Sequence, residues 1–324
     1  MLEISSSSEI KLSGTDIYFD SKRAVPLSFV SSANFKSLAG SEKIIATPET
    51  IKLLGKKIKG SAVLSSPYGR PFTLGSYSIE LIPSGQMLGA AQAVVEKDGK
   101  RIVYAGGFKL KNTATAGYAE LRRCHTLIVD CAYGAPKFIF PPPETVMESI
   151  FEFINRTLFE DNIPVILTDP VGKAQDLIIF LGQREIEMSL HPAMVKTLRL
   201  YEELGVKIPH YGGIKRKHFK NNVLIAPFSY RNSAVLENLK RKKVAVVSGR
   251  SMENGAFIRS SLRAEVAFPL SNHWGYDEIS EYLDVSRPER VIIRGNFSDS
   301  LTGGLKKDGW NVTALKKPRQ LALF

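Results

Sequence analysis

Apolar and polar positions alternate in short runs through the first 135 residues. DIYFD, LSFVSS, KIIAT, YSIELIPSG and AQAVVEKDGKRIVYAGG each read as a strand or a strand pair. The last run turns at Asp98-Gly99, a dipeptide suited to a two-residue hairpin. This texture predicts a mostly antiparallel sheet with few helices. After Pro141-Pro142-Pro143 the period changes. ETVMESIFEFINRTLFED carries Val146, Ile150, Phe153, Ile154 and Leu158 at helical spacing. Strand PVILTD, helix GKAQDLIIFLG, strand EIEMSL, helix AMVKTLRLYEELG and strands VLIAPF and KVAVVSG follow. Such alternation predicts a parallel, Rossmann-like sheet. From about Arg263 a third segment offers strand AEVAFPLS, helix YDEISEYL and strands RVIIRG and WNVTAL.

A chain of 324 residues suits one large α/β unit or two domains sharing an interface, and 44% hydrophobic with 23% charged residues is ordinary for a globular protein. No run of about 18 apolar residues occurs, and MLEISSSSEIKL lacks the basic start and apolar core of a signal peptide. A cytoplasmic protein is expected. The net charge of +12 changes the picture more. Basic residues gather in Lys52–Gly60, Lys215–Lys220, Leu239–Lys243 and Leu315–Arg319, which favours a polyanionic partner, nucleic acid first, over a small neutral substrate. A solvated basic surface is the alternative. Cys124 and Cys131 flank an apolar strand and cannot make a four-ligand zinc site, so buried reduced thiols are expected.

The common signatures of nucleotide and nucleophile chemistry are missing. Gly172-Lys173 lacks the upstream glycine and following Ser/Thr of a phosphate-binding loop, and there is no Gly-x-Ser-x-Gly elbow. Of five histidines none falls in the first 124 residues, which rules out a histidine-rich metal site built from that region.

The order of segments resembles the metallo-β-lactamase/β-CASP nucleases, in the branch that holds ligase-associated DNA exonucleases, Artemis-like enzymes and RNA 3′-end-processing enzymes. FDSKRAVPLSFVSSANFKSLAG resembles the strand and loop of the family's His-x-His-x-Asp-His motif, and ATPETIKLL the segment after it. IPSGQMLGAAQAVV is similar to the PxGHxxGSAQ loop, VYAGGFKL to GDxK, and TLIVDCAYG to the first β-CASP acidic motif. VGKAQDL, VVSGRSM, LSNHWGYDEI and VIIRGNF resemble later landmarks in the family's order. The resemblance implies an α/β fold, a metallo-β-lactamase αββα sandwich of residues 1–149 and 263–316, with a Rossmann-like β-CASP domain inserted at 150–262 and a tail at 317–324.

The departures fall on the implied metal ligands. Those places hold Ser32, Asn34, Lys36 and Ser37 in the first loop, Gln86 for a histidine, Gly107 for the bridging aspartate and Arg294 for the last histidine. Asp130 and His273 keep the family type. Serine, glutamine and glycine are poor ligands for two divalent cations, and Lys36 and Arg294 would set fixed positive charge beside Asp130 instead. The expectation is a site without metal or other cofactor and with no catalytic residue.

Lys215, Arg216, Lys217, Lys220, Arg241, Lys242 and Lys243 fall in the inserted region and are expected to contact phosphates. The start of the GKAQ helix, Gly172 to Gln175 with Lys173, is either a further phosphate site or an ordinary turn. Trp274 and Tyr276 are either base-stacking or core. The tail KKPRQLALF resembles sliding-clamp-binding peptides through Gln320, Leu321, Leu323 and Phe324, with packing on its own domain as the alternative. The leading expectation is a catalytically inactive homologue that binds DNA or RNA as a subunit or adaptor, beside a clamp or an active nuclease, ligase, polymerase or helicase. A nuclease with an unrecognised site, using Asp130, Asp169, Asp277 or Glu278, and a protein scaffold are the alternatives.

Overall fold

The computed structural model describes residues 2–4, 9–34, 40–209, 211–213 and 221–315. It begins with a six-stranded sheet in sequence order: β1 (Leu2–Ile4), β2 (Ile10–Leu12), β3 (Ile17–Phe19), β4 (Leu27–Phe29), β5 (Lys43–Ala46) and β6 (Ala62–Ser65). Only β1–β3 pair antiparallel; β3 to β6 run parallel. Between β5 and β6 lies helix α1 (Pro48–Leu54). The Thr47 hydroxyl accepts from the Thr50 amide at its start, and Pro48 occupies the first turn, where no amide is needed. A second sheet starts with β7 (Phe72–Leu74), β8 (Tyr77–Pro83), β9 (Ala91–Lys97) and β10 (Lys100–Gly106), all antiparallel. The β9–β10 hairpin turns where expected, with φ of 51° at Asp98 and 72° at Gly99, both in the left-handed region that a tight primed turn requires. β11 (Thr126–Cys131) then joins β10 in parallel. The expected antiparallel character therefore holds for β1–β3 and β7–β10 but not throughout, because β4–β6 and β11 are reached by crossovers rather than tight turns.

The chain next builds a separate α/β unit from α2 (Pro143–Phe159), β12 (Ile163–Thr168), α3 (Lys173–Gly182), β13 (Met188–Leu190), α4 (Pro192–Glu203), β14 (Gly212–Gly213), β15 (Val223–Pro227), α5 (Ala234–Asn238), β16 (Lys242–Val247), α6 (Ser251–Ser261) and β17 (Val266–Phe268). Its sheet has the order β14-β13-β15-β12-β16-β17, every pair parallel, as the alternating pattern predicts. Ile150, Leu177 and Leu198 of α2, α3 and α4 bury one face, and Leu236 with Ile258 cover the other. This compact unit spans 113–115 and 137–272, so its edges lie outside the expected 150–262. The reason is packing: Val146 and Met147 of α2 belong to its core, and β17 extends its sheet.

The remainder forms the other unit, to which the chain returns with α7 (Tyr276–Ser286), β18 (Arg290–Gly295), α8 (Ser298–Lys307) and β19 (Val312–Ala314). β18 and β19 complete the second sheet in the order β19-β18-β11-β10-β9-β8-β7. Ile10, Phe19 and Phe29 of the first sheet pack with Leu81, Ala93, Tyr104 and Ile292 of the second. The outer face of the second sheet buries Trp274, Ile279 and Leu301 from α7, α8 and the preceding loop, while Leu54 of α1 packs with Ile44 and Ala46 on the first sheet. The layers run helix, sheet, sheet, helix, and the α/β class expected from the sequence is the one found.

Candidate functional site

β10, β11 and β18 end side by side, and the β11–β18 register sets Asp130 opposite Arg294. An Arg294 Nη2 atom lies 3.4 Å from Asp130 Oδ2 and donates to the Tyr104 hydroxyl at 2.6 Å. The other terminal nitrogen reaches the carbonyl oxygens of Phe19 at 3.2 Å and Asp20 at 3.4 Å. Asp20 follows β3 in a left-handed conformation, φ 44°, and its side chain is 3% exposed. The Tyr104 and Ser31 hydroxyls donate to its Oδ2 at 2.8 and 2.6 Å, and the Ser31 amide donates to Oδ1 at 2.9 Å. Burial raises the Asp20 carboxyl above its usual range, against the pull of Arg294 and the hydrogen bonds from Ser31 and Tyr104. Burial also works against the Arg294 cation, but Tyr104, Asp130 and Asp20 outweigh it and hold the guanidinium charged. The Tyr104 hydroxyl is raised by burial and stays protonated as a donor.

A second polar group adjoins this ionic one. The buried Gln86 amide nitrogen sits 3.2 Å from both ring nitrogens of His273. Gly107 allows the approach: a Cβ there would meet Gln86 Nε2 at 2.7 Å and His273 Nδ1 at 2.8 Å. Glycine at 107 and glutamine at 86 are therefore coupled choices, since a carboxylate at 107 would have to displace that pair. Behind them Lys109 and Glu278 form an ion pair of 2.5 Å, each side chain 2% exposed. Glu278 also accepts from the Leu110 and Gly275 amides, which starts α7. Burial lowers the Lys109 amine, and Glu278 opposes the shift.

The donor set can be tested against the two metal ions that the resemblance implies. Among the described residues no three His, Cys, Asp or Glu side chains converge. A guanidinium occupies the place beside Asp130 where a cation would take that carboxylate, and Gln86 with Gly107 supplies no anionic donor. The residues present do not fit such a pair of ions. Ser32 is buried and Asn34 half-buried, while Lys36 and Ser37 lie outside the described residues. Among the described residues of the loop, Ser31 reaches the ionic group, one position from Ser32.

The other residues singled out in the sequence, several with two readings open, have defined surroundings. Trp274 is fully buried, stacked on Phe108 with centroids 5.3 Å apart, and its indole donates to the Asp130 carbonyl at 3.1 Å, so it offers no face to a base. Tyr276 packs partly buried on the same core. At the start of α3 the Gly172 amide donates to Gln175 Oε1 at 2.7 Å and the Lys173 amide to Asn272 Oδ1 at 3.0 Å. Lys173 itself is buried and holds Asp169 at 2.5 Å, which leaves an ordinary turn rather than a phosphate cradle. Arg241 pairs with Asp161 and Lys243 with Glu160, while Lys242 Nζ donates to the Leu239 carbonyl at 2.8 Å. Lys215, Arg216, Lys217 and Lys220, and the tail residues Gln320, Leu321, Leu323 and Phe324, lie outside the described residues. Of the spare carboxylates, Asp169 and Glu278 are held by lysines and Asp277 sits 3.6 Å from Lys111. Cys124 and Cys131 are buried, unpaired with each other, and burial pushes both thiols up to about 12. No helix among the described residues is long and apolar enough to cross a membrane.

Comparison with known proteins places this geometry beside proteins named for nucleic-acid chemistry. No family model matches the chain. The chain is 28% identical over 311 residues, 95% of its length, to a protein from Opitutus terrae named "Probable DNA ligase", of which it spans 30%. It is 27% identical over 101 residues to an "RNase J-like protein" of Methanocaldococcus jannaschii, covering 31% of this chain and 24% of that one. A second protein of that organism, named "Probable RNase MJ4", is 28% identical over 186 residues, covering 55% of this chain and 42% of that one. The chain thus spans less than half the length of each of these relatives, and its likeness to them runs in the direction of the nuclease resemblance read from its motifs.

Proposed function

We propose that this protein binds nucleic acid without hydrolysing it, as a non-catalytic relative of the metallo-β-lactamase/β-CASP nucleases that serves a ligase-centred repair or processing assembly. The observation that carries the reading is Arg294 of β18, whose guanidinium neutralises Asp130 and Asp20 from a position the resemblance gives to a metal-binding histidine. Three features support it: the coupled Gln86, Gly107 and His273 arrangement, the commitment of the spare carboxylates to lysines, and the net charge of +12. A match over 95% of the chain to part of a protein named for DNA ligase supports a ligase as the partner. Without an activated water or Lewis acid, a lone His273 would contribute little to cleaving a phosphodiester. The test is elemental analysis of the purified protein with a cleavage assay on labelled DNA and RNA in added manganese or zinc. The expected result is substoichiometric metal and intact strands. Stoichiometric metal with cleavage that Asp130→Ala abolishes would overturn the proposal.

A further inference from the structure

At the end of the second sheet remote from Asp130, the starts of β10, β11 and β18 meet the end of β9 around a groove of about 830 Å³. A smaller hollow of about 550 Å³ adjoins it. Five residues of β10 separate Arg101 from Gly106, roughly 16 Å at strand rise, so this is a different place from the site above. Lys97, Lys100, Arg101, Arg123, Arg287 and Arg290 line the two hollows, against three acids, Glu96, Asp98 and Glu289. Arg101 takes up Glu96 at 2.5 Å, and Lys100 lies 3.9 Å from Glu289. Arg123, Arg287 and Arg290 are exposed, and among the described residues none has an ion-pair partner. His125 accepts the Arg101 amide at its Nδ1, 2.9 Å away.

We infer that this groove binds the phosphodiester backbone of a nucleic acid, an inference that rests on the nucleic-acid reading above and gives it a location. The lining favours phosphate over an acidic peptide. It combines forked guanidinium donors with the hydroxyls of Thr73, Ser76 and Ser78, whereas a peptide site needs apolar pockets for alternate side chains, and here Tyr77 is the single aromatic in the lining. Arg123 from the loop before β11 and Arg287 from the end of α7 line the larger hollow and Arg290 from the start of β18 the smaller, so that six cations face three carboxylates across the two. That arrangement costs self-repulsion unless an anion completes it.

The test measures fluorescence anisotropy of labelled single-stranded and duplex oligonucleotides across about 50–200 mM salt. The proteins compared are the wild type, the triple variant Arg123→Gln/Arg287→Gln/Arg290→Gln, each single variant, and Arg241→Gln as a control cation already paired with Asp161. The triple variant is expected to lose at least about tenfold in affinity at about 100 mM salt, with a salt slope smaller by about 2 on single strands. Each single variant is expected to lose about threefold, which keeps the test independent of the triple variant's folding, and Arg241→Gln to lose none. Wild-type binding retained in full by the triple and single variants overturns the groove and leaves the function reading standing. No wild-type binding at about 50 mM salt overturns both, as does capture of polyglutamate in place of either oligonucleotide.

Discussion

The two ends of the second sheet carry similar charges and treat them in opposite ways. Where β10, β11 and β18 finish, Arg294, Asp20, Tyr104 and Ser31 are enclosed and consume one another's hydrogen bonds, with Lys109 and Glu278 doing the same beneath α7. Where those strands begin, Arg123, Arg287 and Arg290 are exposed with no ion-pair partner among the described residues, Arg287 donating only to the Asp284 carbonyl at 3.3 Å. Burial decides the difference. An enclosed charge must be matched by its own chain, and once matched it holds structure and has little left for a ligand. An exposed one keeps its capacity for an external anion. On the proposed reading the end that the resemblance makes catalytic serves as scaffold, and the other end is the better candidate for binding.

The sharpest way to break this contrast is to remove the guanidinium. Arg294→Met leaves Asp20 and Asp130 without their shared cation and is expected to cost about 3–5 kcal/mol in urea unfolding at pH 7. Because the folded Asp20 carboxyl lies above its usual range, the native state holds that proton more tightly than the unfolded chain. The contribution is therefore fullest below the ordinary carboxylate range and falls as pH rises through the folded value. The cost of Arg294→Met should accordingly be smaller at pH 4 than at pH 7, and a cost independent of pH would show that Asp20 is not the group it compensates.

Lys109→Met is expected next in size, about 3 kcal/mol, because Glu278 would remain enclosed with only the Leu110 and Gly275 amides. The double variant Lys109→Met/Glu278→Gln should recover part of the loss in the same urea series. At the open end the order reverses. Gln at 123, 287 and 290 is expected to change stability by no more than about 0.5 kcal/mol while altering binding strongly. Breaking the exposed Arg241–Asp161 pair by Arg241→Ala should change stability by at most about 1 kcal/mol and fade with added salt.

Legibility in the sequence followed the reach of each signal. The Asp98-Gly99 turn, the period of α2 and the parallel α/β unit were readable because a few neighbouring residues set them. The positions of Asp130, Arg294, Gln86, Gly107 and His273 were readable through motif order, and they do fall into two adjoining groups. Asp20 was missed, since a lone acid after a short apolar strand looks like loop; its partner Arg294 is 274 positions away. Tyr104, a hydroxyl inside an apolar strand, was the available sign that a buried acceptor existed. The basic groove was missed for the opposite reason. Contiguous runs such as Leu239–Lys243 drew the reading, yet that run is largely paired, while the groove collects single arginines from separate segments.

The central claim is that Asp130 is answered by Arg294 rather than by a bound cation. Thermal melting in manganese or zinc against a chelator tests it, because any ion bound at about 100 times its Kd would add roughly 2.7 kcal/mol to the native state. The account predicts melting curves that coincide in wild type and in Asp130→Ala. A metal-dependent rise of several degrees in the wild type that Asp130→Ala abolishes would contradict it.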